Sequence, residues 1–188
     1  MRVMVSLPNA KRVTYEEWLT MPEVRDAIEE VVNGEIRIIP PPKMNHQWIV
    51  KGLSKTIDSQ VDCSKIAVFG TAVCRVIREA PLTTRIPDIC VFEIATMVEK
   101  NGYMHSPPQL AIQILSPSNR RREREEKLGD YAAIGVPEVW VLSPEAHTVE
   151  VLLLENGFLR SVEILTAGAL QPKLFPHVHI HTAQIWPD

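Results

Sequence analysis

QLAIQILSPSNRRREREEK, residues 109–127, changes character once along its length. Leu110, Ile112, Ile114 and Leu115 make an apolar run short enough for a strand, closed by a Ser-Pro turn signal. The charged run that follows predicts a helix from about Arg120 to Ile134, stopped at Gly135. Pro137 then leads into EVWVLS (138–143), another β-rich run. A strand, a helix and a strand in that order predict two parallel strands joined by a crossover, and so an α/β domain. One side chain in the first strand stands out. Gln113 is an amide among aliphatic neighbours, and a buried amide without partners costs a few kcal/mol, roughly 2 or more.

The flanking sequence extends the sheet. Asn33-Gly34 and Asn156-Gly157 each sit between apolar runs and predict hairpins toward the two ends of the chain. TYEEWLTM opens with Thr14 and has Glu17 three residues on, a capping box for a short helix. Asn45 is placed to cap a helix through about Val61, with Ile49, Val50, Leu53 and Ile57 at helical spacing. KIAVFG, TAVCRVIRE and IPDICVFE read as strands, APLTT as a turn, and HVHIHTAQIW as a closing strand. No repeat or long linker divides the chain, so residues 1–188 form one expected domain with a mixed sheet and a helix on each face.

A formal net charge of -3 excludes an all-over basic nucleic-acid binder but leaves room for a local basic face. Cys63, Cys74 and Cys90 are an odd count without a C-x-x-C pair, which predicts buried free thiols in a reducing compartment. The first residues lack the apolar core of a signal peptide, and no apolar run is long enough to span a bilayer. The expected location is the cytoplasm.

Strand parity shows which polar groups point inward. Asp88 shares a side with Ile86, Cys90 and Phe92; Glu30 with Ile28 and Val32; Gln113 with Ala111 and Leu115. On the predicted helix, Ile134, Tyr131, Lys127, Arg124 and Arg120 form one stripe, apolar at its end and cationic at its start. Glu30, Asp88, Gln113 and Lys127 therefore can converge on one end of the sheet. Oxygen ligands on neighbouring strands plus a lysine suit a magnesium-dependent phosphodiesterase, the lysine orienting water or neutralising charge. The same residues also suit a salt-bridged core.

TYEEWLTMPE, EVVNGEIRIIPPPKMNHQ, IPDICVF and AIQILSPSNRRREREEKLGDYAAIGVPEVWVLSP, with the closing hairpin, together resemble the Uma-two family of restriction-endonuclease-like proteins, from about Thr14 to Trp186. The resemblance implies the PD-(D/E)XK nuclease fold: a mixed β-sheet flanked by helices, with additional N- and C-terminal β-hairpins. It implies a Mg2+- or Mn2+-dependent endonuclease acting on DNA ahead of RNA, with a homodimer as a further expectation. By position, Asp88 matches the PD element, Glu30 an acidic residue before the hairpin glycine, and Lys127 a lysine carried on the helix. Gln113 stands where the family usually has glutamate, and Ser143 where relatives often have aspartate. The expected catalytic set is Glu30, Asp88, Gln113 and Lys127, with the ion on the first three. An amide oxygen ligates without charge, and losing one unit charge about 4 Å from a partner is worth on the order of 4 kcal/mol at an effective dielectric near 20. The alternative is therefore a catalytically inactive nuclease-fold module that binds nucleic acid or protein.

Arg120, Arg121 and Arg124 are candidates for phosphate contacts, set against a solvated helix face laced with i,i+4 pairs. His46 is the fourth candidate nucleic-acid contact, set against a structural hydrogen bond. His177, His179 and His181 alternate with Val178 and Ile180, the pattern of an exposed edge rather than a zinc site. Ser116 and Ser118 beside prolines read as turn and cap residues, not nucleophiles.

Overall fold

The structure, a computed structural model, describes residues 12–22, 27–39, 41–70, 75–116 and 121–187. In chain order the helices are α1 (Tyr15–Leu19), α2 (Met44–Asp58) and α3 (Arg121–Ala133). The strands begin with β1 (Ile28–Val32), β2 (Glu35–Ile39), β3 (Ile66–Gly70), β4 (Arg75–Glu79), β5 (Leu82–Arg85), β6 (Ile89–Glu93), β7 (Glu99–Lys100) and β8 (Tyr103–Met104). They continue with β9 (Leu110–Ile114), β10 (Glu138–Ser143), β11 (Thr148–Glu155), β12 (Phe158–Leu165), β13 (Ala169–Leu170) and β14 (Ile180–His181).

The central sheet is six-stranded and mixed, in the order β12-β11-β10-β9-β6-β3. β9 and β10 are parallel around the α3 crossover, as the opening stretch predicts, and the other pairs are antiparallel. One face of β9 and β10 presents Leu110, Ile112, Ile114, Trp140 and Leu142 to the α2 stripe of Ile49, Val50, Leu53 and Ile57. The other face presents Ala111, Val139 and Val141 to Tyr131, Leu128 and Ile134 of the α3 region. A helix on each face is what a sheet apolar on both sides requires.

Both predicted Asn-Gly turns close hairpins. Asn33 and Gly34 have φ of 53° and 81°, Asn156 and Gly157 51° and 81°, the left-handed pair that matches strand twist. A third, Asn101-Gly102 between β7 and β8, carries the same signal, which the sequence reading passed over.

Four expectations change. α2 starts at Met44 with Lys43 as its cap residue and no side-chain cap bond, and it ends at Asp58, short of Val61. Asn45 lies inside the first turn. APLTT is not all turn: Leu82–Arg85 is a strand, buried at every position. Its β-branched threonines stay satisfied there, because Thr84 Oγ1 accepts from Val31 N (2.8 Å) and Thr83 Oγ1 from Asn33 N (3.2 Å). The closing strand is only Ile180–His181, although Val178 and Ile180 are buried and all three histidines exposed. Among the cysteines, Cys90 is buried and its thiol pushed up to about 12 by burial, whereas Cys63 lies exposed in the turn before β3; Cys74 lies outside the described residues. Among the described residues no helix is long and apolar enough to cross a membrane.

Candidate active site

The register of the central sheet builds the site. β6 and β9 pair antiparallel with Ile89 opposite Ile112, and Asp88 N donates to Ile112 O at 3.0 Å. Continuing that register puts Asp88 opposite Gln113, so their side chains project from the same face. Gln113 Nε2 donates to Asp88 Oδ2 at 2.6 Å, and the backbone N–H of Ile114 donates to the same oxygen at 2.6 Å. The other carboxylate oxygen meets His46 Nε2 at 3.0 Å, from the first turn of α2. The amide, half-buried rather than buried, is thereby accounted for: its N–H binds Asp88, and its oxygen faces the Tyr131 hydroxyl at 3.5 Å. Burial, with Glu30 nearby, raises the Tyr131 pKa well above the usual phenol range, so it stays a neutral donor.

Glu30 anchors the second half of the site. It is 2% exposed and has no unengaged oxygen: Oε1 takes Lys127 Nζ (2.9 Å) and Ile86 N (3.1 Å), and Oε2 takes Arg85 Nη1 (3.0 Å). Lys127, Arg124, Tyr131 and Gln113 line one small pocket between α3 and the sheet. The four residues expected to act together thus form two linked pairs, Asp88–Gln113 and Glu30–Lys127, joined through this pocket and through the short β5–β6 connection.

Arg85, which the sequence reading did not single out, holds the network together. It is 2% exposed, with Nε on Asp130 Oδ2 (2.7 Å) and Nη2 3.5 Å from Glu126 Oε2. Burial acts against its charge, but Glu30 and Asp130 outweigh that, and its pKa is raised. Glu126 also takes Arg37 of β2 at 2.6 Å; burial raises its pKa, but Arg37 and Arg85 bring it net below the ordinary glutamate value. One guanidinium therefore ties the β1–β2 hairpin, β5 and α3 around Lys127.

The arginine stripe is already engaged. Arg121 Nε binds Glu125 Oε1 at 2.7 Å, the i,i+4 pair of a solvated face, and Arg124 pairs with Glu150 on β11. A phosphate arriving there competes with both carboxylates. Arg120 and Ser118 lie outside the described residues. His46, expected at the nucleic acid, contacts Asp88.

The donor set fits a divalent cation only in part. Asp88 and the Gln113 carbonyl are adjacent hard oxygen donors, as magnesium and manganese favour. To ligate, the amide must turn its oxygen toward Asp88, which the Tyr131 hydroxyl allows because it can accept as well as donate. Glu30 is committed to two cations. Among the described residues no group of three or more His, Cys, Asp or Glu is arranged to hold an ion, which covers the C-terminal histidines as well. An ion here would rest on two protein groups, Asp88 and Gln113.

A family model described as Uma2, "Putative restriction endonuclease", matches residues 14–183. Among solved structures, the chain is similar to the crystal structure of "a putative nuclease belonging to DUF820" from Anabaena variabilis, with a TM-score of 0.76 and 21% identity over 92% of this chain and 97% of that one. At that identity the likeness shows the fold. No curated protein matches the chain.

Proposed function

The chain belongs to the Uma2 family, whose description is restriction endonuclease of putative standing, and from that premise we propose that it is a weak, metal-dependent nuclease acting on nucleic-acid phosphodiesters. The observation that carries this reading is the placement of Asp88, Gln113 and a Glu30-held lysine around one corner of the sheet. A magnesium or manganese ion, held by Asp88 and the Gln113 carbonyl, would supply Lewis-acid polarisation of the phosphate and a more acidic bound water. Lys127 donates from a fixed position toward water or the charge developing on phosphate. Glu30 sets that position, with Arg85 balancing the second buried carboxylate oxygen. His46 orients the free side of Asp88.

A second reading, a nuclease-fold module without catalysis, is favoured by one observation. Gln113 presents an N–H to Asp88 where the resemblance calls for an acid.

Plasmid nicking in millimolar manganese separates the two. Slow nicking by the wild type is expected, with Asp88→Ala abolishing it and Lys127→Met reducing it by about 10²-fold or more, the usual effect of removing a positioned proton-transfer group. No nicking by the wild type or by Gln113→Glu leaves the binding module.

A further inference from the structure

Among the described residues, α2 carries exposed cations that no carboxylate holds. Lys43, Lys51 and Lys55 are exposed, and none forms an ion pair among the described residues. Trp48 stands out on the same helix, 52% exposed, with Lys51 Nζ 5.0 Å from its ring centroid. Trp48, Lys51 and Lys55 fall at i, i+3 and i+7, one face opposite the core stripe of Ile49, Leu53 and Ile57. A large aromatic held out of the core beside a cation presents a stacking surface and a phosphate contact at nucleotide spacing.

His46, on the sheet-facing side of the same helix, touches Asp88 from the first turn, and its buried Nδ1 has no hydrogen-bond partner. At the other end a groove continues between α2 and the C-terminal segment, lined by Lys55, Thr56, Ser59, Gln60, His179 and His181, with Asp58 exposed one turn beyond Lys55. From Trp48 to Lys55 the face is about 10 Å long. On α3, Arg121 and Arg124 are paired with Glu125 and Glu150 while Arg122 stands exposed, and among the described residues no aromatic side chain is exposed beside them.

We infer that the outer face of α2, from Trp48 to Lys55, binds a single nucleic-acid strand. The inference rests on nucleic acid being the substrate and extends that reading by naming the surface and the strandedness. A single strand fits because only unstacked bases can lie on the indole, while lysines at one-turn spacing follow the backbone.

Fluorescence anisotropy with a short single-stranded oligothymidylate, in EDTA, tests it without regard to cleavage. The wild type should bind at low salt, with affinity falling linearly on a log–log salt plot. Lys51→Gln and Lys55→Gln should each reduce the slope by about 0.7, and Trp48→Ala should weaken binding roughly tenfold with unchanged thermal stability. Arg121→Gln should bind nearly as the wild type does. Absence of wild-type binding, α2 variants that bind normally, or a duplex bound more tightly and indifferent to Trp48 overturns the proposal. Because no divalent cation is present, these outcomes leave the nicking assay to decide the catalytic reading separately.

Discussion

Arg85→Ala should destabilise the fold by about 3–5 kcal/mol, the largest loss expected of any single substitution on the charged network. Glu30 and Arg85 are each 2% exposed and exchange a 3.0 Å bond, while Asp130 takes the guanidinium Nε. Removing the cation leaves a buried carboxylate with Lys127 as its one remaining charged partner and takes away the strap between β5 and α3. Denaturant melts should show a lower midpoint with the same slope, the mark of lost stability rather than a looser native state. Arg85→Lys keeps the charge but not the planar fork, and it should fall between the wild type and the alanine variant. The double variant Arg85→Met with Glu30→Leu should lose less than the sum of its singles, since neither leaves the other's charge stranded. Strictly additive losses contradict the network.

Gln113→Glu should destabilise the metal-free protein by about 2–4 kcal/mol and raise nicking at least tenfold in manganese. The amide now donates to Asp88 at 2.6 Å, so the variant places a second carboxylate against the first and removes a charge-assisted bond. Tyr131 can still donate to the new side chain, and the change is nearly isosteric, so packing should hold. A divalent ion reverses the sign, because two carboxylates attract what they alone repel. Saturation at about a hundredfold above the dissociation constant returns roughly 2.7 kcal/mol. Thermal melts with and without manganese read both halves. A variant that melts lower and regains nothing with manganese identifies Gln113 as a core amide and this pocket as metal-free.

The sequence made much of the fold legible because its signals were local. Periodicity marked α2 and α3, Asn-Gly pairs marked hairpins, and the crossover required β9 and β10 to be parallel. Parity also placed Asp88 and Gln113 on inward faces, and the resemblance pointed to Glu30 and Lys127. The rest depended on contacts distant in sequence. Arg85 escaped notice because LTTR has no periodicity of its own, and only its neighbours make it a strand. The partner of His46 is 42 residues away and that of Arg124 26 residues away, so neither contact was visible in the sequence. The i,i+4 pairing of Arg121 with Glu125 was within reach of pattern alone.

Anomalous diffraction from crystals soaked in manganese tests the central claim most directly. The account predicts a peak within coordination distance, about 2.0–2.3 Å, of an Asp88 carboxylate oxygen, with the Gln113 amide turned to present its carbonyl and Glu30 still bonded to Lys127 and Arg85. A site empty at saturating manganese, with Gln113 Nε2 still on Asp88, would contradict it.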